Sequence, residues 1–157
     1  MKILSSFSLI LALLTFVGVP IVRADAAADA QITKGKSLYQ NCVACHQATG
    51  LGVAAVFPPL AGSEVVNGSE EHLIRILLHG LAGKVTVNQV IYNGNMPAFG
   101  LGLGFNWSDE KVAAVLTYVR QAWTNKSGPI TKAQVTAIRI KANRKTPWTA
   151  AELETIK

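Results

Sequence analysis

Apolar residues recur along this chain at two spacings, and each predicts an element. From Glu70 to Leu81, residues Leu73, Ile74, Leu77 and Leu78 share one face at i, i+1, i+4 and i+5, which predicts a helix. Further on, Val112, Val115, Leu116, Val119 and Trp123 repeat at helical spacing. A second helix should therefore start at Ser108, a good N-cap, with Asp109 and Glu110 in its first turn. That stripe reads as core packing. An earlier helix is expected from Ile32 or Thr33 to about Val43, with Thr33 as N-cap and Leu38 and Tyr39 among its apolar positions. Lys84–Tyr92 alternates weakly (Val85, Val87, then Val90, Ile91 and Tyr92) and predicts a small β-hairpin turning at Asn88-Gln89. Gly50, Gly52, Pro58, Pro59 and Gly62 mark residues 47–62 as a loop, and Gly100–Gly104 reads as a flexible link.

The two ends behave differently. Thr131-Lys132-Ala133-Gln134 has the spacing of a capping box and should open a helix with Val135, Ile138 and Ala142 on one side. Pro147 breaks that pattern, and Trp148 precedes a last turn near Thr149–Leu153. At the other end, Ile3 to Val22 is uncharged between Lys2 and Arg23, and it is densest in apolar residues at Leu9–Val19. Small residues follow at Ala24, Ala26, Ala27 and Ala28, as signal peptidase requires. Residues 1–24 are thus expected to be an export signal. The competing reading keeps residues 3–22 as an uncleaved membrane anchor. In both cases the folded part leaves the cytoplasm.

The 157 residues suffice for one domain, residues 25–124, and a C-terminal helical extension, residues 125–157. The formal charge of +6 is unevenly placed. Residues 25–124 carry six Lys/Arg against seven Asp/Glu, whereas residues 125–157 carry seven against two. Arg139, Lys141, Arg144 and Lys145 cluster in the extension. A basic tail on a near-neutral domain is not a nucleic-acid-binding face. It reads either as a helix that docks on the domain or as an electrostatic patch for an acidic partner or membrane surface. The only two cysteines sit three residues apart, which excludes a disulfide framework.

Those cysteines belong to Cys42-Val43-Ala44-Cys45-His46, a C-x-x-C-H run of the kind that attaches a c-type haem. Cysteines at i and i+3 on a helical turn lie on one face and can reach the two vinyl groups of one porphyrin. The adjoining His46 then supplies the proximal imidazole. A thioredoxin-like dithiol would want a βαβ setting, and none is apparent. A zinc site would want further ligands, and His72 and His79 are seven residues apart. For the far side of the iron, the chain beyond a cleaved leader holds a single methionine, Met96, in a run of turn formers, Tyr92 to Gly100. The plainer reading of Met96 is a core gap-filler. His72 and His79 are rival ligands, although His72 is expected to face solvent and His79 to cap its helix before Gly80.

Over roughly residues 32–124 the chain resembles the mono-haem class I cytochromes c. The resemblance rests on Cys42–His46, followed fifty residues later by Met96-Pro97. Gly35 and Tyr39 resemble the family's N-terminal helix, where a glycine admits the C-terminal helix, and Tyr118 resembles the aromatic of that partner. Pro58-Pro59-Leu60-Ala61-Gly62 resembles the family's P-x-L-x-G loop. The resemblance implies an all-α class I cytochrome c fold wrapped round one covalently bound haem c and its iron. It also implies that the Pro58 carbonyl accepts the Nδ1–H of His46 and that Leu60 packs on the ring. His46 and Met96 would be the metal ligands, and Cys42, Cys45, Pro58 and Leu60 the remaining cofactor contacts.

A narrower resemblance, in Lys84–Gly94, Met96-Pro97, Val115–Arg120, Trp123 and Thr131–Arg139, is to small exported cytochromes associated with periplasmic dehydrogenases. Those have Asn-Gly in the hairpin turn, where this chain has Asn88-Gln89. The implied function is a periplasmic one-electron carrier, not an enzyme. It would be a monomer or complex subunit, passing electrons from a dehydrogenase or oxidoreductase to an acceptor cytochrome or oxidase. The alternatives are a permanently bound dehydrogenase subunit, or a haem sensor or weak peroxidase in which Met96 leaves the iron.

Overall fold

The computed structural model describes residues 22–156. All but the last few residues of the expected export signal or anchor lie outside the described residues. Helix α1, Val22–Leu38, begins well before the expected start at Ile32 or Thr33, and Thr33 sits exposed inside it rather than capping it. Ala26, Ala27, Ala28 and Ala30 are the strongest of helix formers, so nothing stops the helix there. It also ends earlier than Val43. Tyr39–Asn41 tightens into a 3-10 turn, and α2, Val43–His46, follows with Cys42 at its N-cap.

Two short N-caps set the next pair of helices. The Ser63 side chain accepts from the Val66 N–H and opens α3, Glu64–Asn67. Ser69 accepts from the His72 N–H and opens α4, Glu70–His79. Gly80, at φ 85°, ends α4 by donating its N–H to Ile76.

Strands β1, Leu81–Val87, and β2, Val90–Met96, pair antiparallel with Leu81 opposite Met96. The hairpin is longer than the expected Lys84–Tyr92, but it turns at the expected Asn88-Gln89. Both turn residues are left-handed, at φ 49° and 66°, as a two-residue type I′ loop demands. Gln89 takes the place that glycine usually fills. The Glu64 carboxylate accepts the Asn88 N–H at 2.6 Å and ties the turn to α3.

Helix α5, Asp109–Gln121, crosses α1 at Gly35. Ser108 occupies its N-cap, but its side chain makes no cap hydrogen bond. Trp123 lies beyond the helix end at φ 56° rather than on its stripe. Its ring packs against Tyr39 and Tyr118, with centroids 5.3 and 5.9 Å away, and covers Gly50. The buried centre includes Tyr39, Ile74, Leu78, Val112, Val115 and Ile130.

Gly100–Gly104 is not a flexible link. The Phe105 N–H donates to Ala98 and the Trp107 N–H to Phe99, closing the loop. Phe105 stacks on Phe99 at 4.3 Å, and Trp107 packs on the same ring.

The extension docks on the domain. Helix α6, Lys132–Ala142, carries the full Thr131/Gln134 capping box, and α7, Ala150–Glu154, carries a second one built from Thr149 and Glu152. Four of its cations are paired within the chain. Arg139 meets Asp109, Lys141 meets Glu71 and Arg144 meets Glu152, each at 2.9 Å, and Lys132 meets Glu110.

Candidate functional site

Every residue singled out in the sequence as a cofactor contact lines one apolar space between the hairpin, α4, α5 and the haem-motif turn. Two adjoining cavities occupy it, of about 700 and 730 Å³ including volume open to solvent. Cys42, His46, Pro58 and Met96 line both, Leu60 lines the first and Cys45 the second. Leu73, Leu77, Val115 and Leu116 supply much of the remaining wall of the first.

His46 is delivered by the last turn of α2, followed by Gln47 at φ 62° and ψ 158°. That break turns the chain out of the helix at the imidazole. The ring is 9% exposed. Its Nδ1 donates to the Pro58 carbonyl at 2.9 Å, which leaves Nε2 as the bare nitrogen. Desolvation pushes its pKa down, against the smaller opposing effect of the Pro58 bond, so the ring is neutral at pH 7. A neutral imidazole with a free lone pair is a metal ligand. Burial, and then the neighbouring Cys45, pushes the Cys42 thiol up to about 11. That is the opposite of the lowered thiol of a dithiol redox catalyst.

The loop carrying Pro58 is fixed from both sides. Leu60 and Ala61 N–H groups donate to the Gly50 carbonyl at 2.7 and 2.9 Å. Asn125, 3% exposed, holds the other side. Its Oδ1 accepts from the Gly62 N–H and from Asn67, and its Nδ2 donates to the Leu60 and Val119 carbonyls, all within 2.8–2.9 Å. The sequence gives no sign of this role, because an asparagine just past a helix end looks like a turn former. The apolar contributions of Val85, Val87 and Tyr92 to the cavities are likewise hidden in a weak alternation.

The rival histidines lie outside the cavities. His72 is half-buried rather than free in solvent, and its Nε2 donates to the Ile156 carbonyl at 3.1 Å. His79 is 3% exposed, and its Nδ1 lies 3.1 Å from the Arg75 carbonyl and 3.3 Å from the Trp148 indole nitrogen. Desolvation pushes its pKa down, so it is a neutral core residue and not a charged helix cap.

A buried neutral imidazole, a thioether, two thiols and an otherwise apolar wall fit a haem c. Among the described residues no buried side-chain polar atom is left without a hydrogen-bond partner. The cytochrome c family model matches residues 32–123. The chain is 34% identical over 141 residues to a cytochrome c-552 of Thermus thermophilus, covering 84% of this chain and 86% of that protein. It is 37% identical to a second Thermus thermophilus cytochrome c-552, over 68% of this chain and 85% of the relative. It is also 32% identical to the cytochrome c subunit of a quinone-type alcohol dehydrogenase of Gluconacetobacter polyoxogenes, over 70% of this chain but only 23% of that much longer protein. With this site and these matches, the chain belongs to the cytochrome c family as a class I, electron-transferring cytochrome with covalently bound haem c.

Proposed function

We propose that the protein is an exported one-electron carrier, working between a dehydrogenase or other oxidoreductase and a downstream cytochrome or oxidase, with His46 and Met96 as the residues that would ligate the haem iron. The observation that carries the assignment is that His46, its tautomer fixed by Pro58, shares both cavities with Met96 and Cys42. Bound haem c supplies a one-electron Fe(III)/Fe(II) couple. Cys42 and Cys45 would tether the group to the chain through thioether links. His46 gives Nε2, and the Pro58 carbonyl raises its basicity. Met96 would supply a thioether as the other iron ligand, which would leave oxygen or peroxide no open position and favour a high potential. Leu60 would pack on the ring, and the apolar wall would keep water away. Exchange then proceeds through a small transient contact near Cys45 and the exposed Val56, and no residue is assigned to bond chemistry on a substrate.

Among the described residues no helix is long and apolar enough to cross a membrane, so anchoring rests on residues 3–22. Intact mass of the purified protein reads cleavage after residue 24 and the added haem together. Met96→Ala should keep the covalent haem and open the sixth position. Carbon monoxide binding to the reduced variant no different from the parent's would refute the ligand assignment.

The dehydrogenase subunits among the relatives favour a second reading, a subunit held permanently in a complex. Co-purification at low and high salt separates the two, since a transient carrier leaves its partner at either ionic strength. The extension's cations are largely spent on internal carboxylates, which argues against it as an electrostatic fastener.

A further inference from the structure

We propose that residues 147–156 act as a lock on the proposed sixth ligand, with Trp148 as the positioning residue that holds the Met96 strand through Gly80 and Leu81. The inference rests on Met96 being that ligand.

The lock is built from backbone and side chain together. The Trp148 N–H donates to the Gly80 carbonyl at 3.0 Å, and the Trp148 carbonyl accepts from the Ala82 N–H at 2.8 Å. Trp148 therefore adds a parallel rung to the outer edge of β1 beside Leu81. On the inner edge, Leu81 is paired with Met96. Three segments thus lie abreast at this level, extension, β1 and the methionine strand. Gly80 presses directly on that strand, since a Cβ placed there would lie 2.6 Å from the Met96 carbonyl oxygen.

Side-chain packing follows the same route. Trp148 forms a small buried cluster with Ile76 and Leu153, separate from the main core. Among the described residues Met96 alone packs against both this cluster and the main core. The indole cannot drift. The Arg144 guanidinium lies 4.1 Å from the ring centroid, that of the buried Arg75 lies 5.0 Å away, and the His79 ring packs edge-on against the indole with centroids 6.2 Å apart. Arg144 is itself tied to Glu152 and to the carbonyls of Thr146 and Pro147. Release of the tail would leave the end of β1 unpaired on one edge and Met96 unsupported on its outer side.

The test uses the holoprotein. The reduced protein binds carbon monoxide only while the sixth ligand is away, so the binding rate reports that population. Trp148→Ala should raise the rate about tenfold, roughly the effect of losing one well-packed cation–aromatic contact. It should also weaken the long-wavelength thioether-to-ferric-iron band while the covalent haem remains. Trp148→Phe should restore most of both signals. Val135→Ala, a core truncation remote from the hairpin, should lower stability without changing the carbon monoxide rate. If Trp148→Ala yields no holoprotein, Arg144→Gln decides, since it loosens the ring from the surface side. An unchanged rate in the decisive variant overturns the lock. If Met96→Ala also matches the parent, the ligand assignment has failed instead.

Discussion

Gly35 is where the two long helices meet, and a single methyl group tests that crossing. A Cβ on Gly35 would sit 2.1 Å from the Ala114 carbonyl oxygen and 2.7 Å from Tyr118 Cβ. Ordinary contacts lie near 3.5–4.0 Å, so the overlap exceeds 1 Å. The obstacles are a helix backbone and a Cβ, and neither can be moved by changing a rotamer. Helices α1 and α5 must part by about that distance, and a gap of 0.5–1 Å forfeits a quarter to a half of each contact across the seam. Overpacking of this kind costs about 3 kcal/mol, at the upper end of its usual range. Against it stands the gain of about 1 kcal/mol from replacing glycine with alanine inside a helix. The clash wins by about 2 kcal/mol. At about 4 °C per kcal/mol for a domain of this size, Gly35→Ala should lower the melting temperature by about 8 °C. Calorimetry and far-UV dichroism of the holoprotein measure it. A variant that melts with or above the parent would show that the seam is slack and that glycine is not required there.

Other perturbations read other parts of the molecule. Asn125→Ala removes four hydrogen bonds around the Leu60–Gly62 loop, the one to the Val119 carbonyl fully buried, and should cost about 2 kcal/mol in denaturant titration. Asp109 accepts from Thr136 and from two nitrogens of Arg139, whose hydrogen bonds hold its carboxyl below the usual range. Its contribution is complete above an unfolded pKa of about 3.9 and fades as pH falls through the lower folded value. Asp109→Asn should therefore be less stable at pH 7, by about 2 kcal/mol, yet lose less stability on acidification. His79 has the opposite charge logic but the same direction, because its pKa is lowered chiefly by burial. Stability held by neutral His79 is complete above about pH 6.5 and declines as pH drops from there toward the folded value. His79→Gln should flatten the stability curve below about pH 6.5, read from denaturant titrations across that range.

The chain's local signals are legible wherever the determining contact lies within a few residues. The Cys42–His46 spacing, the Thr131/Gln134 box, the glycine stop after His79 and the turn at Asn88-Gln89 all depend on neighbours along the backbone. A one-dimensional pattern carries that information. The start of α1 departs from the cap signal at Thr33 because the alanine run ahead of it has the propensity to continue the helix backwards.

Contacts spanning tens of residues leave no such trace. Trp123 looks like the last rung of a helical stripe, but its partners Gly50 and Tyr39 lie far upstream, and they draw it into a left-handed turn. The glycine-rich segment 100–104 looks loose, yet the carbonyls of Ala98 and Phe99 close it. The basic tail looks like a docking patch until Asp109, Glu71 and Glu152 are seen to claim three of its cations. The sequence by itself determined the tethering chemistry and most of the helices, because covalent spacing and hydrogen bonds near a helix end are set locally. Only the tertiary structure decided what surrounds His46 and Met96, because burial and long-range pairing arise only when distant segments exclude water together.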